Sequence, residues 1–289
     1  MPEPITTLST LVIEKLSGGI TAIGINVPGH SQNVMNQDFM EELKQVLTFL
    51  QQNPPRGLLV ESLRDDSFLA GADIGQIDTV WSLPSARVKE LCDNGRSLLD
   101  MFAASPWPSV AVIDGVCVGG GLELALACDL RVATENPKTI LGMPEVKLGL
   151  LPGWGGTVRL PRLIGTGPAI ELIASGDVIT GSQAKTLGLV DACVPVHSAR
   201  ESACAFIEQT IATEDYCKRR AELQLPQVLD KPESDFLLAT TGAVIVSRTK
   251  GNYPAPMVAF DTIMQSATKS MKEAAALESK AFADLSQTS

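Results

Sequence analysis

The sequence predicts an α/β core followed by a helical C-terminal region. Three observations carry this expectation. Short apolar runs of strand length alternate with longer patterns of helical spacing through the first half. The first two runs and the first helical pattern form one β-β-α unit. Beyond about Val196 strand patterns cease while helical ones continue. The expected organisation is an α/β core over residues 1–196 and a helical region over 197–289.

Taken in order, Leu11 to Lys15 and Ile20 to Ile25 read as a hairpin joined across Gly18-Gly19. From Asp38 the residues Phe39, Leu43, Val46, Leu47 and Leu50 recur at helical spacing until Pro54-Pro55 ends the pattern. Gly57 to Ser62 reads as a buried strand, and the polar, glycine-bearing stretch from Asp65 to Asp78 as a functional loop. A helix over about Ser85 to Phe102 leads to a strand at Val110 to Ile113, turned by Asp114-Gly115. The glycine-rich Val116 to Gly121 precedes a short helix, Leu122 to Cys128, and strands at Asp129 to Ala133 and Thr139 to Gly142. A Pro-Gly-rich stretch runs from Pro144 to Gly156. In the tail, Phe260, Ile263, Met264, Ala267, Met271, Ala274, Leu277, Ala281, Phe282 and Leu285 form one helical stripe that must cover something, in this chain or in a neighbour.

With 289 residues, 45% of them hydrophobic, the chain can fill a real core. No apolar run approaches the ~20 residues of a membrane-spanning helix, and the polar, mixed Met1 to Thr10 lacks the basic start and apolar block of a signal peptide. A cytoplasmic protein is expected. The net charge of -10 argues against a nucleic-acid surface; an anionic small molecule can still be held by backbone N–H groups and a few lysines. Six cysteines without a Cys-x-x-Cys pair read as buried, reduced thiols. Two histidines, His30 and His197, offer no metal-ligand spacing, so no metal site is expected.

Three segments join permissive backbone to charged or small residues: Phe68 to Ile74, Gly119-Gly120-Gly121-Leu122-Glu123, and Pro144-Glu145 leading to Pro152-Gly153-Trp154-Gly155-Gly156. Consecutive glycines before a helix let N–H groups approach an oxyanion, or else permit tight helix packing. Glu123, in an otherwise apolar helix, is either a desolvated acid with a raised pKa or a partner of Arg131. Glu145 alone is an ordinary acid at a helix start. Two carboxyls of tuned pKa can, however, divide the removal of a proton from water and its delivery to carbon.

These motifs, in this order, resemble the enoyl-CoA hydratase (crotonase) superfamily. Ala70-Gly71-Ala72-Asp73-Ile74 is similar to its first oxyanion segment, Gly119 to Ala125 with Cys128-Asp129 to its second, and Met143 to Gly149 followed by Pro152 to Thr157 to its third signature. Within it, Arg159 to Gly165, Gly188 to Asp191 and the late Gly251-Asn252-Tyr253-Pro254-Ala255-Pro256 resemble the hydratase domain of fatty-acid oxidation multienzyme alpha subunits. The resemblance implies a crotonase-like spiral of β-β-α units. In such subunits a helix like the stripe at about 257–285 links to a hydroxyacyl-CoA dehydrogenase module; the chain ends at Ser289, where that module is expected to begin.

Carried over position by position, the resemblance implies that the N–H groups of Ala72 and Gly120 bind the thioester oxygen. Glu123 activates the water that attacks C3, Glu145 protonates C2, and the Gly153 N–H holds the water. Ala70, Gly71, Asp73, Ile74 and Lys250 contact the substrate. Lys269 and Lys272 are further cations for the coenzyme A 3′-phosphate, unless these lysines only solvate a surface. Coenzyme A is part of the substrate, and no cofactor is implied. The resemblance also implies a side activity moving a 3-enoyl double bond to position 2, a fused or associated dehydrogenase and thiolase, and a monomer or weak oligomer. Alternatives are another crotonase-type reaction on an acyl-CoA, isomerisation or hydrolysis, or a non-catalytic acyl-CoA-binding module.

Overall fold

The computed structural model describes residues 4–73, 75, 77–250 and 252–288. Its strands are β1 (Pro4–Thr7), β2 (Leu11–Lys15), β3 (Ile20–Ile25), β4 (Gly57–Ser62), β5 (Ser67–Leu69), β6 (Ser109–Ile113), β7 (Val116–Val118), β8 (Leu130–Thr134), β9 (Ile140–Gly142), β10 (Val178–Thr180) and β11 (Ala192–Val194). The helices are α1 (Gln37–Gln52), α2 (Ile77–Ser82), α3 (Ser85–Ala103), α4 (Gly120–Ala127), α5 (Gly156–Ile164), α6 (Thr166–Ser175), α7 (Gly181–Leu187), α8 (Ala199–Thr213), α9 (Asp215–Gln224), α10 (Lys231–Leu237), α11 (Ala243–Thr249), α12 (Ala255–Ser266) and α13 (Met271–Leu285). Among the described residues none of these helices is long and apolar enough to cross a membrane.

Two compact units share the chain. The first comprises Met1–Asp73, Leu98–Leu141 and Ile179–Arg220, the second Ile74–Ser97, Gly142–Val178 and Ala221–Ser289. The first holds a seven-stranded sheet of order β1-β2-β3-β4-β6-β8-β11. The expected hairpin is β2 and β3, antiparallel with Leu11 opposite Ile25; from β3 onward the neighbours β4, β6, β8 and β11 run parallel. Parallel neighbours need crossovers. Helix α1 supplies the first, starting where Asn36 accepts a bond from the Phe39 N–H and burying all five of the expected apolar positions. Ala199, Ala203 and Ile207 of α8 pack on Leu59, Val110, Val112 and Val132 of the sheet.

A second sheet has the order β10-β9-β7-β5, and apart from Gly142 and Val178 its residues belong to the first unit. The second unit is otherwise helical. There α12 packs on α6, α5 and α13, and α13 packs on α5; Ala283 and Phe282 of α13 also meet Val88 and Cys92 of α3.

Several expectations need correcting. The loop over Asp65 to Asp78 contains β5 and the start of α2. The N-terminal stretch read as merely polar contributes β1, an edge strand on β2. The short helix starts at Gly120, so two of the three glycines lie inside it. The tail stripe is two helices, because Ser270 and Glu273 form a capping box that starts α13 afresh after α12 ends at Ser266. Of the six cysteines only Cys92, Cys117 and Cys128 are buried; Cys193 and Cys204 are half-buried and Cys217 is exposed.

Candidate active site

In the first unit the site is built on the β5–β7 pair. These strands run parallel, with Ser67 opposite Val116 and Leu69 opposite Cys117. Loops that follow parallel neighbours leave at the same sheet edge, so Ala70–Asp73 and Gly119–Gly121 emerge side by side. The contact is close. A Cβ on Gly71 would stand 3.0 Å from the Val118 carbonyl oxygen and 3.2 Å from the Gly120 nitrogen, and one on Gly121 would stand 1.9 Å from the Leu69 carbonyl oxygen. Gly71 also takes φ +86°, a conformation that side chains resist.

The first loop is anchored by Asn33, which is fully buried. Its side-chain oxygen accepts from the Val27 N–H at 2.8 Å, and its amide donates to Ser62 Oγ at 2.9 Å and to the Phe68 carbonyl at 3.2 Å. Its carbonyl takes the Ala70 N–H at 2.8 Å, and the Met35 N–H donates to the Gly71 carbonyl at 2.8 Å. Ala72 is exposed beside these bonds. Ile74, expected to contact substrate, lies outside the described residues, as does Gly251 of the late motif.

Helix α4 is buried along its whole length, Glu123 included at 2% exposure, and the Glu123 N–H donates to Gly119 O. The suggested partner Arg131 has other work. Its buried guanidinium donates to the carbonyls of Leu189 (2.8 Å), Cys128 (2.9 Å) and Ala125 (3.2 Å), with Asp191 at 3.6 Å. It therefore satisfies the last carbonyls of α4, where a cation is favourable against the helix dipole. Asp129 accepts from the Ser109 N–H at 2.8 Å and from Arg220 Nε at 2.6 Å, holding the other end of the Cys128-Asp129 motif.

In the second unit Glu145 sits in a 3-10 turn, Pro144–Leu148. Its residue is half-buried, but its Oε2 is sealed from solvent and has no hydrogen-bond partner among the described residues. Burial pushes its pKa up to about 7; its own backbone N–H opposes this, and the nearby negative charge of Glu278 adds to it. The Tyr253 hydroxyl, from the late motif, donates to the Val146 carbonyl and so ties that motif to the turn bearing Glu145. Gly153 is packed so closely that a Cβ there would lie 2.8 Å from Cδ2 of Phe282 and 3.4 Å from Cys92 Sγ. Lys250 ends α11 in a left-handed conformation, exposed, and Lys269 and Lys272 are exposed too.

The site residues thus fall into two sets: Ala70, Gly71, Ala72, Asp73, Gly120 and Glu123 in the first unit, and Glu145, Gly153 and Lys250 in the second. Sequence reasoning passed over Glu278. This residue of α13 is fully buried, and it accepts from the Gly155 N–H (2.7 Å), the Thr157 N–H (2.9 Å) and the Thr157 hydroxyl (2.6 Å). Among the described residues no cluster of His, Cys, Asp and Glu is arranged to hold a metal ion.

The family described as enoyl-CoA hydratase/isomerase matches residues 15–230 of this chain. The fatty acid oxidation complex subunit alpha of Vibrio cholerae is 40% identical over 92% of this chain and 38% of its own length. That of Shewanella halifaxensis is 37% identical over 96% of this chain and 39% of its own length. The chain therefore spans under two fifths of the length of these curated relatives. Among solved structures, an enoyl-CoA hydratase from Bacillus anthracis is 31% identical and aligns over 83% of this chain and 89% of its own with a TM-score of 0.65. One from Geobacillus kaustophilus is 26% identical, over 92% and 97%, with a TM-score of 0.67.

Proposed function

We propose that this chain, which belongs to the enoyl-CoA hydratase/isomerase family, adds water across the 2,3 double bond of a 2-enoyl-CoA in fatty-acid β-oxidation. One observation carries the reading: two glycine-bearing loops are packed against each other at the edge of a parallel strand pair, and a buried carboxylate stands in the first turn of the helix that one of them starts. Backbone donors at Ala72 and Gly120 suit a thioester oxygen that gains negative charge. Each such donor is worth about 3 kcal/mol in the transition state.

In this reading Glu123 takes a proton from water as its oxygen bonds to C3. The electron pair of the double bond moves toward the thioester oxygen, and Glu145 then gives its proton to C2. The two roles require opposite protonation states. The raised pKa of Glu145 supports its assignment as the acid, since a carboxyl that keeps its proton near neutrality can donate it. Gly153 holds the water through its N–H. Ala70, Gly71 and Asp73, with Lys250, contact the coenzyme A part of the substrate. No covalent intermediate is needed, so no Ser, Cys or His nucleophile is called for.

The relatives are named as subunits of a fatty acid oxidation complex, and we extend that setting to this chain. Its partners would be a fused or associated hydroxyacyl-CoA dehydrogenase and a thiolase, and its own assembly a monomer or weak oligomer. Movement of a 3-enoyl double bond to position 2 is a side activity of the same machinery, because it uses the same oxyanion donors and one acid-base group. The test is spectroscopic. Purified protein mixed with 2-enoyl-CoA should bleach the ultraviolet absorbance of the conjugated thioester. If 3-enoyl-CoA is converted while that absorbance persists, the protein is an isomerase; if the thioester binds without turnover, it is a binding module.

A further inference from the structure

We propose that Glu278 of α13 is the positioning residue of the Gly153–Thr157 turn, fixing the backbone N–H of Gly153 on which the attacking water is to rest; this builds on the hydratase reading above. A carboxylate is rarely buried completely, because stripping it of water is costly unless hydrogen bonds replace the hydration. Glu278 is 0% exposed and has those bonds: Oε1 takes the Gly155 N–H, and Oε2 takes both the N–H and the hydroxyl of Thr157. It is the cap of α5, supplied from 121 residues further along the chain.

The turn cannot supply that cap itself. Its N-cap is Gly155, at φ +110°, and a Cβ there would lie 2.0 Å from Arg159 Nη1. That positive φ strains the usual Ser, Thr or Asp there. Arg159 grips the same turn, donating to the Trp154 carbonyl at 3.0 Å. Phe282, one helical turn beyond Glu278 on the same face of α13, closes against Gly153 itself. Helix α13 therefore provides a polar hold on Gly155 and Thr157 and an apolar stop at Gly153, which together leave the intervening backbone little freedom. It also makes polar contacts with α3, where the Ser279 hydroxyl donates to Asp93 at 2.7 Å and Arg96 donates to the Ala275 carbonyl at 3.3 Å.

Glu278→Gln keeps the size of the side chain but turns an N–H donor toward one of the two backbone N–H groups. Hydration by this variant should lose about 10- to 100-fold in kcat, the scale of a misplacement near 1 Å, with KM changed less than about threefold. Amide hydrogen exchange in the peptide covering 153–157 should quicken about tenfold. Thr157→Val, which deletes the bond from the Thr157 hydroxyl, should show smaller changes of the same sign, and it carries the test if Glu278→Gln does not fold. Unchanged kcat, a rise in KM alone, or a lost kcat with exchange at 153–157 as in wild type would each overturn the proposal. A wild-type protein that does not hydrate 2-enoyl-CoA overturns the hydratase reading instead, and exchange at 153–157 then decides the positioning role by itself.

Discussion

Glu145 shows how one residue sets stability and chemistry against each other. An unfolded chain releases this proton near 4.5, whereas burial and the Glu278 charge hold it to about 7 in the folded protein. Below pH 4.5 both states carry the proton and the group is neutral to stability. Through pH 4.5 to 7 the folded state alone keeps it, so stability falls as pH rises, by on the order of 3 kcal/mol once pH exceeds 7. Glu145→Gln removes the titration, and no hydrogen bond to Oε2 is lost with it. Thermal scans should place the Tm of Glu145→Gln above wild type at pH 8 and beside it at pH 4, while hydration drops by orders of magnitude; a variant no more stable than wild type at pH 8 contradicts burial as the cause. Glu123 and Glu145 could be singled out in the sequence because each belongs to a local motif. Glu278 could not. Its donors lie 121 and 123 residues away, and in the sequence it is one acid among the residues of an apolar stripe.

Among the elements, legibility followed length. Helix α1 and the β2–β3 hairpin span enough residues to show their periods, and both emerged as expected. Strands β5, β10 and β11 have three residues each, too few to show alternation, so β5 was hidden in an expected loop although it supports the candidate site. The break between α12 and α13 was hidden for another reason: the apolar stripe runs on across it, and only the Ser270–Glu273 capping box marks the restart. Ser270→Ala should cost about 1 kcal/mol, seen as a Tm lower by about 2–4 °C. Close packing makes a sharper prediction. In Gly121→Ala the new methyl meets backbone, 1.9 Å from the Leu69 oxygen, whereas at Gly188, a left-handed helix terminus at φ +79°, nothing lies within 4 Å. Denaturant titration should give a loss of about 3 kcal/mol or more for Gly121→Ala and about 1 kcal/mol for Gly188→Ala, from backbone strain alone. Equal losses would mean that the approach of α4 to β5 is looser than this.

For the molecule as a whole, alternation and composition sufficed for the α/β class, since both are sums over many residues and tolerate local error. Assembly depends on which apolar surface remains uncovered. The stripe of the C-terminal helices does not remain so: Phe260, Ile263, Ala274 and Leu285 are each at most 2% exposed within this one chain. Exposed large apolar side chains are most frequent over 225–246, at Leu225, Val228, Phe236, Leu238, Val244 and Val246. Exposed apolar side chains favour self-association, while a net charge of -10 opposes it and is screened by salt. Light scattering should therefore give a mass near the 30.6 kDa of the single chain in dilute, low-salt solution, rising with concentration and with salt. Phe236→Ser combined with Val244→Ser should suppress that rise and leave hydration unchanged. A stable hexamer that persists on dilution contradicts the monomeric or weakly associated state, and a rise that survives the double substitution moves the contact elsewhere.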